Sequence, residues 1–138
     1  MEEKIKQYFE SHDYFANDLG AVLTECRPGH AEMELTLKRR HISGVGKNHV
    51  HAGVIYSLAE SASAAAILPF GYDCVAVEGK ITYVDAVSEG TLIAAAEAKD
   101  GHENGNSSCR VRIMTKDGRL IANAKFGIFY TGEPFTAD

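Results

Sequence analysis

The chain has 138 residues, 45% of them apolar, enough for one hydrophobic core and for the expectation of a single domain over 1–138. Nineteen acidic side chains against fourteen basic ones give a formal charge of −5, with no basic run of five or more, which argues against a nucleic-acid partner. Cys26, Cys74 and Cys109 are odd in number and lie far apart, so they read as reduced core thiols, and no metal or redox site is expected of them.

The N-terminus, Met1 to Tyr8, carries no apolar h-region, and no stretch reaches the roughly 18 uncharged apolar residues of a membrane span. A cytoplasmic protein without a membrane partner is the expectation. Residues 2–12 set Ile5 and Phe9 among charged neighbours at helical spacing, which predicts a short amphipathic helix. Leu19 to Glu25 is expected to supply the first strand of a hairpin, turned by Arg27-Pro28-Gly29. The second strand runs from Gly29 to Leu37, where Ala31, Met33, Leu35 and Leu37 alternate with His30, Glu32, Glu34 and Thr36. Lys38-Arg39-Arg40 is the longest positive cluster; it reads as a solvated strand end, with local contact to a phosphate-bearing ligand as the alternative. His12, His30, His41 and His102 read as surface or loop positions.

After a Gly-rich loop, His51 to Leu68 leaves almost no charged face, and a helix apolar nearly all round is expected to be buried. At about 1.5 Å per residue it is roughly 25 Å long. Pro69 and Gly71 end it. Strands are predicted at about 74–85, 91–99, 107–116 and 119–130, with Lys116-Asp117-Gly118-Arg119 turning the last two into a hairpin. The predicted architecture is α+β: an antiparallel six-stranded sheet wrapped around one long central helix, with a short N-terminal helix. One helix covers only part of such a sheet, so a second copy is expected over the remainder and along the sheet edge.

Glu60 is the one acidic residue inside the buried helix. A carboxylate there needs a compensating neighbour or a raised pKa, so it is either a structural acid held by a serine or an arginine, or a working group. At the helix start, Asn48-His49-Val50-His51-Ala52-Gly53 places small residues where backbone N–H groups are free and the helix dipole favours negative charge. That is the setting of an oxyanion hole. Tyr56 reads as core or as a ligand contact, and His49 as a loop residue facing the site or solvent.

The segment from His51 to Ala62 resembles the H-G-G-x-x-x-x-L-A-[DE]-x-A stretch of hot-dog acyl-CoA thioesterases of the phenylacetate-pathway and 4-hydroxybenzoyl-CoA type. Leu19-Gly20, Lys80-Ile81-Thr82-Tyr83 and Gly118 to Ala122 are similar to the family's opening, its first strand after the helix and its last turn and strand. The resemblance implies hydrolysis of an acyl- or aroyl-CoA thioester, with CoA as part of the substrate and no cofactor or metal. It implies Glu60 as nucleophile or general base, Ala52 with Gly53 beside it at the oxyanion, and His51 positioning the carbonyl or the loop. His49, Tyr56 and Val77 would line the substrate. The sequence departs from the family at Val45, where an amide is usual, so Asn48 or Ser43 takes that role; Ala52 replaces the first glycine, and Val77 a serine or threonine. The resemblance also implies a homodimer, or a dimer of dimers, with sites across the subunit interface. Two other readings stand beside this one: a hot-dog hydratase or dehydratase, and a non-catalytic acyl-CoA binding protein.

Overall fold

Residues 2–138 are described by the computed structural model, and the alternating segments of the second half all form strands in it. In chain order the elements are α1 (Glu2–His12), α2 (Tyr14–Leu19), β1 (Val22–Arg27) and β2 (His30–Thr36). Two short strands follow, β3 (Ile42–Ser43) and β4 (His49–Val50), and then the long helix α3 (Ala52–Ile67). β5 (Tyr72–Tyr83), β6 (Thr91–Ala98), β7 (Asn106–Thr115) and β8 (Leu120–Pro134) complete the chain. The main sheet has six antiparallel strands in the order β1-β2-β6-β7-β8-β5, and β3 and β4 form a separate small ladder.

Side chains alternate between the two faces of a strand, which lets the sheet turn one apolar face toward α3. Leu35, Leu92, Ile113, Ile121 and Phe126 thereby meet Leu58, Ala62 and Ile67 of the helix in one fully buried cluster. α3 with its 3-10 turn reaches Phe70; those 19 residues have the length and composition of a membrane span, but here they pack against the sheet. α3 lies mainly over β2, β6 and β7 and covers β5 and β8 much less.

That offset leaves β5 as a long, poorly covered edge. Val75, Val77 and Tyr83 on it are 47%, 66% and 44% exposed. Its ladder to β8 is broken by bulges before Cys74 and at Val77, and among the described residues the strand has no partner on its other side. A strand edge of twelve residues with exposed valines is a template for another chain.

Three sequence expectations are corrected. The first strand starts at Val22, because a second N-terminal helix, α2, takes up Leu19. The Asp13 side chain accepts from the Ala16 N–H at its start, and Gly20, at φ +93°, closes it with bonds to the Ala16 and Asn17 carbonyls. His41 is buried rather than on the surface. Its Nδ1 accepts from the Lys38 N–H at 2.8 Å and its Nε2–H donates to the Leu19 carbonyl at 2.7 Å, which satisfies both ring nitrogens. His30 is also mostly shielded, because Glu25, Glu32 and Glu97 converge on its two ring nitrogens.

Candidate functional site

α3 is not buried on every side. Ile55, Leu58, Ala59, Ala62, Ala65 and Ala66 face the sheet, while Gly53, Tyr56, Ser57, Glu60 and Ala64, spaced three and four apart, form a stripe that stays partly accessible. Glu60 sits in the middle of that stripe. Its carboxylate makes no hydrogen bond or ion pair among the described residues, so the serine or arginine that would hold a structural acid is not there. Burial raises its pKa above the ordinary glutamate value, and the like charge of Asp13 at the start of α2 adds to the rise. Cys74 of β5 is a further neighbour, its thiol pushed up to about 11 by burial, by Asp73 and by Glu60. A half-buried, unpartnered carboxyl with a raised pKa has the character of a general base or nucleophile.

The start of α3 is fixed from three directions. The His51 N–H donates to the His41 carbonyl at 2.8 Å, the Val50 N–H to the Val87 carbonyl at 2.8 Å, and the Tyr83 hydroxyl to the Ala52 carbonyl at 3.0 Å. His51 is the N-cap: its Nδ1 accepts from the Gly53 N–H at 2.9 Å. The N–H of Gly53, the residue beside Ala52, is therefore occupied. The Val54 N–H reaches the His51 carbonyl. Ala52 alone of the three keeps an N–H without an acceptor among the described residues, at an exposed helix start. Any Cβ on Gly53 would stand 3.0 Å from His51 Nδ1, so glycine here lets the imidazole fold back over the helix end.

The other sequence-predicted residues divide into two groups. Tyr56 joins the Glu60 stripe, its ring edge-on to Phe126 at 5.5 Å and its hydroxyl lying over Gly79 of β5. Val77 is the extra residue of a β5 bulge. Asn48 and His49 are exposed in the loop before α3; His49 pairs with Ser43 across the β3-β4 ladder. Asn48 joins Lys38, Arg39 and Ser88 around a hollow of about 720 Å³, apart from Glu60. Four residues that shape the site have no signal in the sequence: His41 and Tyr83, which brace the helix start, and Asp13 and Cys74, which surround Glu60.

A Cβ at Gly79 would collide with the Tyr56 hydroxyl and press on the Phe126 ring at 3.0 Å. Gly79→Ala is therefore expected to displace Tyr56 and to cost about 1–3 kcal/mol, seen as a lower urea midpoint at unchanged slope. An unchanged midpoint would mean that Tyr56 has free room to move.

Glu60 follows Ala52 by eight positions, so the free N–H and the carboxylate stand about 12 Å apart along the helix axis. One α3 cannot offer both to a single carbonyl.

With this geometry in hand, comparison with known proteins places the fold. Residues 47–122 match the family model of the thioesterase superfamily. A protein of Archaeoglobus fulgidus, described as a candidate esterase, is 30% identical over 135 residues, covering 98% of this chain and 86% of that one. The PaaI protein of E. coli, from its phenylacetic acid degradation operon, superposes with a TM-score of 0.86 at 22% identity, over 98% of this chain and 99% of that one. A hypothetical thioesterase of Streptococcus pneumoniae solved with coenzyme A gives 0.81 at 21% identity, over 91% and 98%. The family match spans the loop before α3, the helix and most of the strands behind it, and the chain belongs to the thioesterase superfamily, a thioester hydrolase on a hot-dog fold.

Proposed function

We propose that the protein hydrolyses an acyl-CoA or aroyl-CoA thioester to the free carboxylic acid and CoA, at sites built between two copies of the chain. The observation that carries this reading is Glu60: an unpartnered carboxylate, half-buried on the accessible stripe of a helix whose first N–H is free. Coenzyme A in the Streptococcus pneumoniae relative supports the choice of thiol. Water adds to the thioester carbonyl carbon, with Glu60 taking its proton, or Glu60 attacks first and water releases the acid; in both cases the C–S bond breaks and the thiolate collects a proton. The Ala52 N–H of the partner copy stabilises the oxyanion, aided by the helix dipole. Thiolates leave readily, so a carboxylate and an oxyanion donor suffice. The β5 edge supplies the pairing surface for a homodimer.

Thiol release measured over a panel of acyl- and aroyl-CoAs tests the reading. Turnover of at least one of them is the expected result. Hydration of crotonyl-CoA without thiol release would replace it by a hydratase, and tight binding with no turnover would replace it by a binding protein.

The pH profile adds a second check, because Glu60 must be ionised to act. With its pKa raised, kcat/KM should climb with pH through an inflection above the ordinary glutamate range near about 4.3. A profile flat down to that range would remove Glu60 from the chemistry.

A further inference from the structure

The face of the sheet turned away from α3 gathers four of the chain's fourteen basic side chains in one place. Lys80 of β5 stands opposite Lys125 of β8, and Lys125 opposite Arg110 of β7, so three cations form a single cross-strand row. Arg112 lies on the same face two residues along β7. Direct cross-strand neighbours are about 4.5–5.5 Å apart at Cβ, and like charges in that position destabilise a sheet. All four side chains are exposed, and none makes an ion pair or a hydrogen bond among the described residues. Glu97 of β6 stands next in the row, opposite Arg110, yet its carboxylate is drawn the other way, to His30 Nδ1. The four cations line a hollow of about 590 Å³ together with Thr82, Ala95, Asn123 and one carboxylate, Glu97, which they outnumber; the small and hydrogen-bonding groups leave room for a ligand.

We propose that this outer face is a binding site for a phosphate-bearing anion of nucleotide type, held by Arg110 and Lys125 with Lys80 and Arg112 on either side. Guanidinium and ammonium donors match phosphate oxygens in charge and geometry. The hollow is larger than one inorganic phosphate and of a size that accommodates a nucleotide. Pairing of two chains along β5 brings the rows of both copies toward one seam and enlarges the cationic surface. The phosphates belong either to the CoA arm of the substrate or to a separate nucleotide. Only that choice of source rests on the thioesterase reading.

Pyrophosphate and adenosine 3′,5′-bisphosphate are the probes, with calorimetry and thermal melting as readouts, on the wild type and on an Arg110→Gln/Lys125→Gln variant. The wild-type Tm should rise with pyrophosphate. The variant should melt no lower than the wild type without ligand, since a like-charge contact is gone, and should bind both probes at least about ten-fold more weakly. No shift in the wild type, an equal shift in the variant, or loss of the shift only in Lys38→Gln/Arg39→Gln would overturn the site. The source follows from KM. A rise for acyl-CoA, with none for the phosphate-free N-acetylcysteamine thioester, assigns the phosphates to the substrate. Unchanged KM for both, with pyrophosphate binding lost, assigns them to a separate nucleotide. Failure to hydrolyse either thioester would strike the thioesterase reading and leave the pyrophosphate result standing.

Discussion

Glu60→Gln is expected to lower thiol release by about a thousand-fold or more while the protein stays folded and melts at the same temperature or higher. The substitution keeps the volume of the side chain and removes only its charge, and a positioned base or nucleophile contributes about 10²–10⁴ in rate. The stability side follows from the raised pKa of Glu60. Between its unfolded and folded pKa values the native state holds the proton more tightly than the unfolded chain does. Glu60 therefore favours folding at low pH, and that contribution is lost as pH rises through the folded pKa. At neutral pH the ionised carboxylate, half-buried and near Asp13, opposes folding, and glutamine removes the opposition. Melting curves and thiol-release rates on the same preparation check both halves. Near-wild-type turnover would end the assignment of Glu60; lost turnover with a collapsed Tm would make it a structural acid.

The parts of this molecule legible in its sequence are those where a local pattern coincides with the tertiary one. Ala31, Met33 and Leu35 alternate in the sequence and are all buried in β2. The apolar run from Ala52 to Ile67 forms α3 between its cap at His51 and the turn at Gly71. Glu60 stood out because a lone acid in such a run needs an explanation. α2 escaped notice because six residues are too few to show a period; it is held by the Asp13 side chain and Gly20. His41 follows Lys38-Arg39-Arg40, which looks like surface, and one of its two partners, the Leu19 carbonyl, is provided only by the tertiary fold. The folded-back ring of His51 depends on the backbone conformation at Gly53, and the free Ala52 N–H emerges only once that bond is seen. The apolar composition of α3 hid its accessible stripe, since the sequence gives no account of how far the sheet wraps. The stripe and the β5 edge are both left open, and the proposed pairing of two copies would use them.

Two separately inactive variants should restore each other. Gly53→Val is expected to be inactive because a side chain there drives the His51 ring off the helix start and crowds the approach to the Ala52 N–H. His49→Ala, in the exposed loop, should be milder. Glu60→Gln is inactive for the reason given above. If each site joins the helix start of one copy to the Glu60 of its partner, a dimer of the two variants holds one site with both halves wild type and one with both halves altered. Random exchange makes about half of the dimers hybrid, each with one working site of two, so activity should recover to about a quarter of the wild-type value. Differential tags allow the hybrid to be isolated, in which case the expected figure is about half. The separation of about 12 Å between Ala52 and Glu60 along one helix is the physical ground for this expectation. Hybrids that assemble, keep the wild-type Tm and yet release no thiol would show that each chain completes its own site. The accessible stripe of α3 and the unpaired edge of β5 would then need another occupant.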